Sequence, residues 1–156
     1  MRRKEREITD RNLIDEILKK SNTCRLAIHG TPYPYIVALN YGYADNALFI
    51  HCAKEGKKVD LLKENNKVGF QIDLGSELIK HTESCQWTTK YRSLMGIGEV
   101  EIIENFDQKC QGLDVIMNHS GKSDNYYHPR AVEKVLILKV NIKDISGKQA
   151  GDWQAN

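Results

Sequence analysis

Apolar residues fall at helical spacing near the start of the chain and at alternating spacing through most of its remaining length. Leu13, Ile14, Ile17 and Leu18 form one apolar face behind Thr9 or Asp10, either of which can cap the first turn, and Ser21-Asn22 ends that helix. Cys24 to Ile28 predicts a strand, broken at Gly30-Thr31-Pro32. Tyr35 to Tyr43 is rich in β-branched and aromatic residues, and a polar break at Asp45-Asn46 separates it from Ala47 to His51. Two such runs with a short polar break predict a hairpin. Past Gly56 the period changes. Val59, Leu61 and Leu62 among lysines and acids predict a short helix from Lys57 to Glu64, stopped at Asn65-Asn66. Val68 to Ile72 returns to strand, and Gln86 to Ile103 predicts one or two more, with Gly96 and Gly98 marking a bend or bulge. Asp107 is placed to cap a second helix carrying Leu113, Ile116 and Met117. Val132 to Ile145 predicts a strand in which Leu136, Leu138, Val140 and Ile142 alternate with Ile137, Lys139, Asn141 and Lys143.

Several strands with two or three helices among them, and a single plausible strand–helix–strand unit, argue against a doubly wound parallel sheet. The expectation is a mostly β (α+β) fold: a small antiparallel Greek-key barrel with a few helices. One domain is expected over residues 9–146, between a flexible N-terminus (1–8) and a C-terminal tail (147–156).

The 156 residues suffice for one core that buries roughly two-thirds of the unfolded surface. A formal net charge of +2 is too small to argue for nucleic acid. Met1-Arg2-Arg3-Lys4-Glu5-Arg6 is basic, but no apolar stretch comes after it as in a secretory signal. No apolar run approaches the ~20 residues of a spanning helix. A soluble, cytoplasmic protein is expected. Cys24, Cys52, Cys85 and Cys110 contain no Cys-x-x-Cys pair and read as free thiols. His81 and Cys85 are four apart, but no second pair at ligand spacing accompanies them, so no metal is expected.

Two segments carry candidate chemistry. Lys57 and Lys58 fall in the first turn of the predicted helix, where the macrodipole already places positive charge and each lysine costs up to about 1 kcal/mol. An anion at that terminus would offset the cost, since free backbone N–H groups and two ammonium groups form a phosphate site. Gly56 would let the backbone approach closely. Solvated surface lysines remain the plain alternative. The second segment runs from Cys85 to Ser93. As a strand it sets Trp87, Thr89, Tyr91 and Ser93 on one face and Thr88, Lys90 and Arg92 on the other. Such a strand suits a planar phosphorylated ligand or single-stranded nucleic acid, and equally an ordinary half-buried strand. Gly96-Ile97-Gly98 lacks the third glycine and the strand-to-helix context of a dinucleotide loop, and there is no Walker loop or nucleophile elbow. His29, His81, His119 and His128 show no ligand or nucleophile pairing and read as structural or surface residues.

Three stretches succeed one another in order: Tyr35-Ile36-Val37-Ala38-Leu39-Asn40-Tyr41-Gly42-Tyr43, Leu48-Phe49-Ile50-His51-Cys52-Ala53-Lys54-Glu55-Gly56-Lys57-Lys58, and Trp87-Thr88-Thr89-Lys90-Tyr91-Arg92-Ser93-Leu94-Met95-Gly96-Ile97-Gly98. From about Leu13 to Lys148 the series resembles the pyridoxamine-phosphate-oxidase-like split-barrel flavoproteins, and within them the branch of the nitroimidazole-resistance (Nim) proteins. The resemblance implies an FMN-binding split β-barrel that works as a homodimer, with each cofactor at the subunit interface. It implies that the strand Tyr35, Ile36, Val37, Ala38, Leu39, Asn40 runs along the flavin, with His51 and Cys52 beside the ring system. It places Lys57 and Lys58 at the basic phosphate positions, and makes Ser93, with Arg92, a polar cofactor contact from the partner subunit. Two departures count against vitamin B6 oxidation. Asn40 stands where the oxidases carry a basic residue, and Gly147 to Asn156 lacks their C-terminal motif.

The function so implied is a flavin-dependent reductase of small planar acceptors such as nitroimidazoles and nitroaromatics. His51 is its acid–base candidate, histidine being the residue type that ordinarily titrates near neutrality. The alternatives are a flavin-binding carrier or sensor without turnover and an oxidase of the pyridoxamine-phosphate type. Single-stranded nucleic-acid binding would predict affinity falling steeply with salt, and neither a nucleic-acid nor a membrane partner is expected.

Overall fold

The computed structural model describes residues 3–153. After a 3-10 turn at Lys4–Arg6, the order is β1 (Glu7–Ile8), α1 (Arg11–Lys20), β2 (Thr23–Ile28), β3 (Tyr35–Asn40), β4 (Gly42–Ala44), β5 (Ala47–Ala53), α2 (Lys57–Glu64), β6 (Lys67–Ile79), β7 (Thr88–Ile103), α3 (Phe106–His119), α4 (Pro129–Glu133) and β8 (Val135–Ala150). The strands form one antiparallel sheet in the order β3-β2-β6-β7-β8-β5-β4, with β1 on β8. The sheet curls until β3 and β5 approach without sharing a ladder, and this seam splits the barrel.

Alternation builds the core. Leu26 and Ile28, Leu48 and Ile50, Val68, Phe70 and Ile72, Leu94 and Val100, and Leu136, Leu138 and Val140 all turn inward, capped by Ile14, Ile17 and Leu18 of α1. Gly96 stands opposite Phe70, and a Cβ there would collide with the Phe70 ring, so the glycine makes room for the aromatic side chain. The predicted bend is a register shift at Ile97/Gly98 against β8. Ile137 alone of the β8 centre faces outward at full burial, in a second cluster with Ile103 and Ile116 beneath α3.

Several boundaries move, each for a visible reason. Tyr35 to Tyr43 is not one strand: at Tyr41 the side chain drops into the core and its O–H donates to the Leu18 carbonyl at 2.7 Å. β3 therefore pairs with β2, and β4 alone forms the hairpin with β5 through Asp45 and Asn46, whose φ values of 50° and 56° are those of a primed turn. Asn105, not Asp107, caps α3, its side chain accepting from the Gln108 N–H. The last strand starts at Val135 because Pro129–Glu133 forms α4, with Pro129 in its first turn. That strand runs on to Ala150, so Gly147–Ala150 are strand rather than tail, and Glu7–Ile8 pair with Lys148 and Gly147 rather than hanging free. Residues 1–2 and 154–156 of the two predicted ends lie outside the described residues.

Lys109 is 3% exposed, and its Nζ donates to the carbonyls of Val132 and Val135 at 2.7 and 3.1 Å, tying α3 to the α4–β8 junction. Replacing Lys109 with Met leaves two carbonyls short of a donor at similar side-chain volume. The expected cost is about 1–3 kcal/mol, read as a lower thermal or urea midpoint with an unchanged m-value.

Candidate functional site

β5 ends at Ala53, and Lys54-Glu55-Gly56 turns the chain into α2. Gly56 takes φ +124° at the helix N-cap, a region other residues avoid, and open space surrounds the place where its Cβ would stand. Its carbonyl accepts from the N–H groups of Val59 and Asp60, and no side chain among the described residues caps the turn. The first N–H groups of α2 are thus left for an outside acceptor. Val59 and Leu62 are buried and seat the helix on the barrel.

The two lysines of that turn diverge. Lys57 is exposed and holds its Nζ 5.3 Å from the centre of the Tyr35 ring, at the start of β3. Lys58 is half-buried and lies near Cys52, whose thiol it pulls toward ionisation against a larger upward push from burial. The net effect holds the Cys52 pKa above the ordinary thiol value. Its side chain faces the core, so Cys52 is packing rather than nucleophile.

β3 lies at one end of the sheet order, and its second edge faces the seam with β5. Backbone groups along that edge are free to meet a heterocycle. Along the strand, Tyr35, Val37 and Leu39 pack toward the core, while Ile36, Ala38 and Asn40 are exposed on the outer face of the sheet. His51 is exposed on β5, opposite Ile137 of β8, and points away from the neighbouring Cys52. The structure thus brings Tyr35 and Lys57 together, and Lys58 and Cys52, and it sends His51 and Cys52 to opposite faces.

Arg92 and Ser93 also diverge, as strand neighbours must. The Arg92 guanidinium stacks on the Trp153 ring at 4.2 Å, with its Nε donating to Gln149. Lys90 covers the same ring at 4.7 Å. Ser93 lies on the other face, opposite Asp73 and 3.5 Å from the Gln71 amide. Trp87 precedes β7 rather than beginning it, and donates through Nε1 to the His81 carbonyl.

Sequence reasoning missed a polar group on the outer face beside Ser93. Arg25 donates to one Asp73 oxygen at 2.9 Å and Gln71 donates to the other at 2.9 Å. Arg25 and Asp73 border a cavity of about 530 Å³ that Gly75, Ser76, Thr89 and Tyr91 also line. The available signal was Arg25 itself, an arginine between Cys24 and Leu26 whose alternation turns it outward.

No functionally curated protein matches the sequence. Among solved structures, a candidate 5-nitroimidazole antibiotic resistance protein from Bacteroides thetaiotaomicron is 33% identical, with 91% of this chain and 85% of that one covered at a TM-score of 0.82. A FAD- and heme-binding protein from Mycobacterium smegmatis is 18% identical over 97% of this chain and 76% of that one, with a TM-score of 0.83. A flavocytochrome from Azotobacter vinelandii is 16% identical over 97% and 72%, with a TM-score of 0.82. At these lower identities, the last two show a shared fold. The pyridoxamine 5'-phosphate oxidase family model matches residues 10–149, which takes in the α2 turn, the seam strands and the outer face alike. With its antiparallel split barrel and this match along nearly its whole length, the chain belongs to the pyridoxamine 5'-phosphate oxidase-like family.

Proposed function

We propose that the protein binds FMN and works as a homodimeric flavin-dependent reductase of small planar acceptors such as nitroimidazoles. The observation that carries this reading is the α2 turn. It offers uncapped N–H groups, an open glycine and two lysines at the mouth of a seam where β3 shares no ladder with β5. That donor set fits a phosphate monoester attached to a flat ring. Lys57 and Lys58 would hold the phosphate, and the β3 edge would lie along the ring. The FAD-binding neighbours and the 5-nitroimidazole resistance relative support a flavin over another phosphorylated heterocycle.

Bound flavin supplies the electron transfer, and the protein supplies orientation and a controlled surface around it. His51 is exposed and has no hydrogen-bond partner among the described residues, so its ring is free to donate to an acceptor or pass it a proton. Asn40, neutral and outward, gives no second phosphate anchor for a vitamin B6 substrate, which favours reduction of uncharged acceptors.

The homodimer is supported by the outer face of the sheet. Ile36, Met95 and Ile97 are 66%, 53% and 58% exposed there, around the small residues Ala27, Ala38 and Gly69. An exposed apolar patch of this kind, with Arg25 and Gln71 set between Ala38 and Met95, suits burial against a second copy of itself.

Three outcomes are expected. Changing both Lys57 and Lys58 to Ala weakens FMN binding in fluorescence titrations, at about 1.5–3 kcal/mol per charged hydrogen bond lost; unchanged retention would sink the phosphate assignment. His51→Ala retains FMN, but photoreduced protein is reoxidised by a nitroaromatic at least tenfold more slowly than wild type. Wild-type reoxidation no faster than that of free FMN would leave a carrier or sensor instead. Ile97→Lys sets a charge into the apolar face, and light scattering should then report a monomer with lowered FMN affinity.

A further inference from the structure

β2 ends its pairing with β6 at Ile72, and β6 and β7 run on together past it. At that point β6 carries one residue too many. Leu74 stands opposite Arg92 and Ser76 opposite Tyr91, so Gly75, at φ +70°, is left out of the register as a bulge. Trp153 fills one side of the bulge, 3.0 Å from the place of a Gly75 Cβ and against Lys90 and Arg92. Thr89 and Tyr91 alternate with those two cations and take the other side. There the cavity of about 530 Å³ opens between Gly75, Ser76, Thr89 and Tyr91 and the Arg25–Asp73 pair. This is the outer face of the sheet. Lys57 meets Tyr35 on the core-facing side of β3, so the cavity is separate from the α2 turn.

The groups around the cavity have hydrogen-bonding capacity to spare. Arg25 spends one guanidinium nitrogen on Asp73 at 2.9 Å, and its other N–H groups have no partner among the described residues. Asp73 accepts once on each carboxylate oxygen, from Arg25 and from Gln71, and keeps further lone pairs on both. An unused donor thus stands beside an unused acceptor, in an ion pair whose charges offset each other. Tyr91 adds a flat ring diagonal to Asp73 across the β6–β7 ladder, a spacing that aromatic side chains span. Lys148 brings its ammonium to 5.9 Å from that ring from the β8 side, which leaves the group with one positive charge in excess.

A cationic ligand meets that excess, and an anionic one meets Asp73. A neutral group with an acceptor and an N–H donor on one planar carbon meets neither. We propose that this cavity binds a neutral aromatic carboxamide, whose carbonyl accepts from Arg25, whose N–H donates to Asp73 and whose ring lies against Tyr91. The Ser76 and Thr89 hydroxyls line the remaining wall and suit further polar substituents. The assignment is independent of the flavin reading.

The test compares benzamide with acetophenone, which share a ring and a carbonyl and differ only in the N–H donor. Each is titrated into isotope-labelled full-length protein, with the amide resonances of Gly75, Ser76 and Thr89 followed by NMR. Benzamide should move these resonances and bind about fivefold to tenfold more tightly than acetophenone, the weight of one partly exposed hydrogen bond to a carboxylate. In Asp73→Ala the ratio of the two dissociation constants should fall to near one. In Tyr91→Leu both ligands should weaken together while the ratio persists, which separates lost recognition from lost fold. Equal binding of the two by wild type, no benzamide-induced shift at these residues, or an unchanged ratio in Asp73→Ala would overturn the assignment. Tighter binding of benzamidinium or benzoate than of benzamide would overturn it as well, by making the cavity a simple charge site.

Discussion

The alternation of side chains along three long antiparallel strands is the constraint on which the rest depends. β6, β7 and β8 share registers that run almost their full lengths, and each must give one face to the barrel core. Once Phe70, Leu94 and Val140 are committed inward, the outward positions are fixed without further choice. Asp73, Ser93, Met95 and Ile97 then stand on a single exposed surface. The same rule parts His51 from Cys52 and Arg92 from Ser93, pairs that sequence proximity alone would join.

The barrel closes incompletely, and the incomplete closure is where its chemistry gathers. A ladder between β3 and β5 would consume the backbone groups that a planar ligand can use. Instead α2 begins at the mouth of the seam, its first turn open and its apolar side sunk among Val59 and Leu62. The lysines that strain an isolated helix start are tolerable because buried residues behind them hold the helix in place.

Legibility in the sequence depends on how local each feature is. α2 was readable to its ends, because Gly56 before it and Asn65 after it act within one turn. The four inward residues of β8 were readable from period alone. Tyr41 was not, since nothing nearby announces that its hydroxyl meets Leu18 across 23 positions. α4 hid because Val132 fits a strand pattern as well as a buried helical turn. Of the candidate site, the lysines and the β3 strand were legible from local pattern and family resemblance. The Arg25–Asp73 pair was not, because it joins residues 48 apart through a register that no window of sequence contains. Arg92 was legible as a cation but not as the partner of Trp153.

Beyond the barrel, β6 and β7 continue as a two-stranded arm, and such a ribbon has little stability of its own. Trp153 lies across its base, above Gly75, where φ is +70° and a Cβ would stand 3.0 Å from the indole. The indole Nε1–H is tied to Ala150, and two cations flank the ring. The protein thereby carries an optical gauge of its own geometry. With Trp87 replaced by Phe, Trp153 emission should respond to the cations stacked on it, so the arm's attachment can be followed by light without attaching a dye.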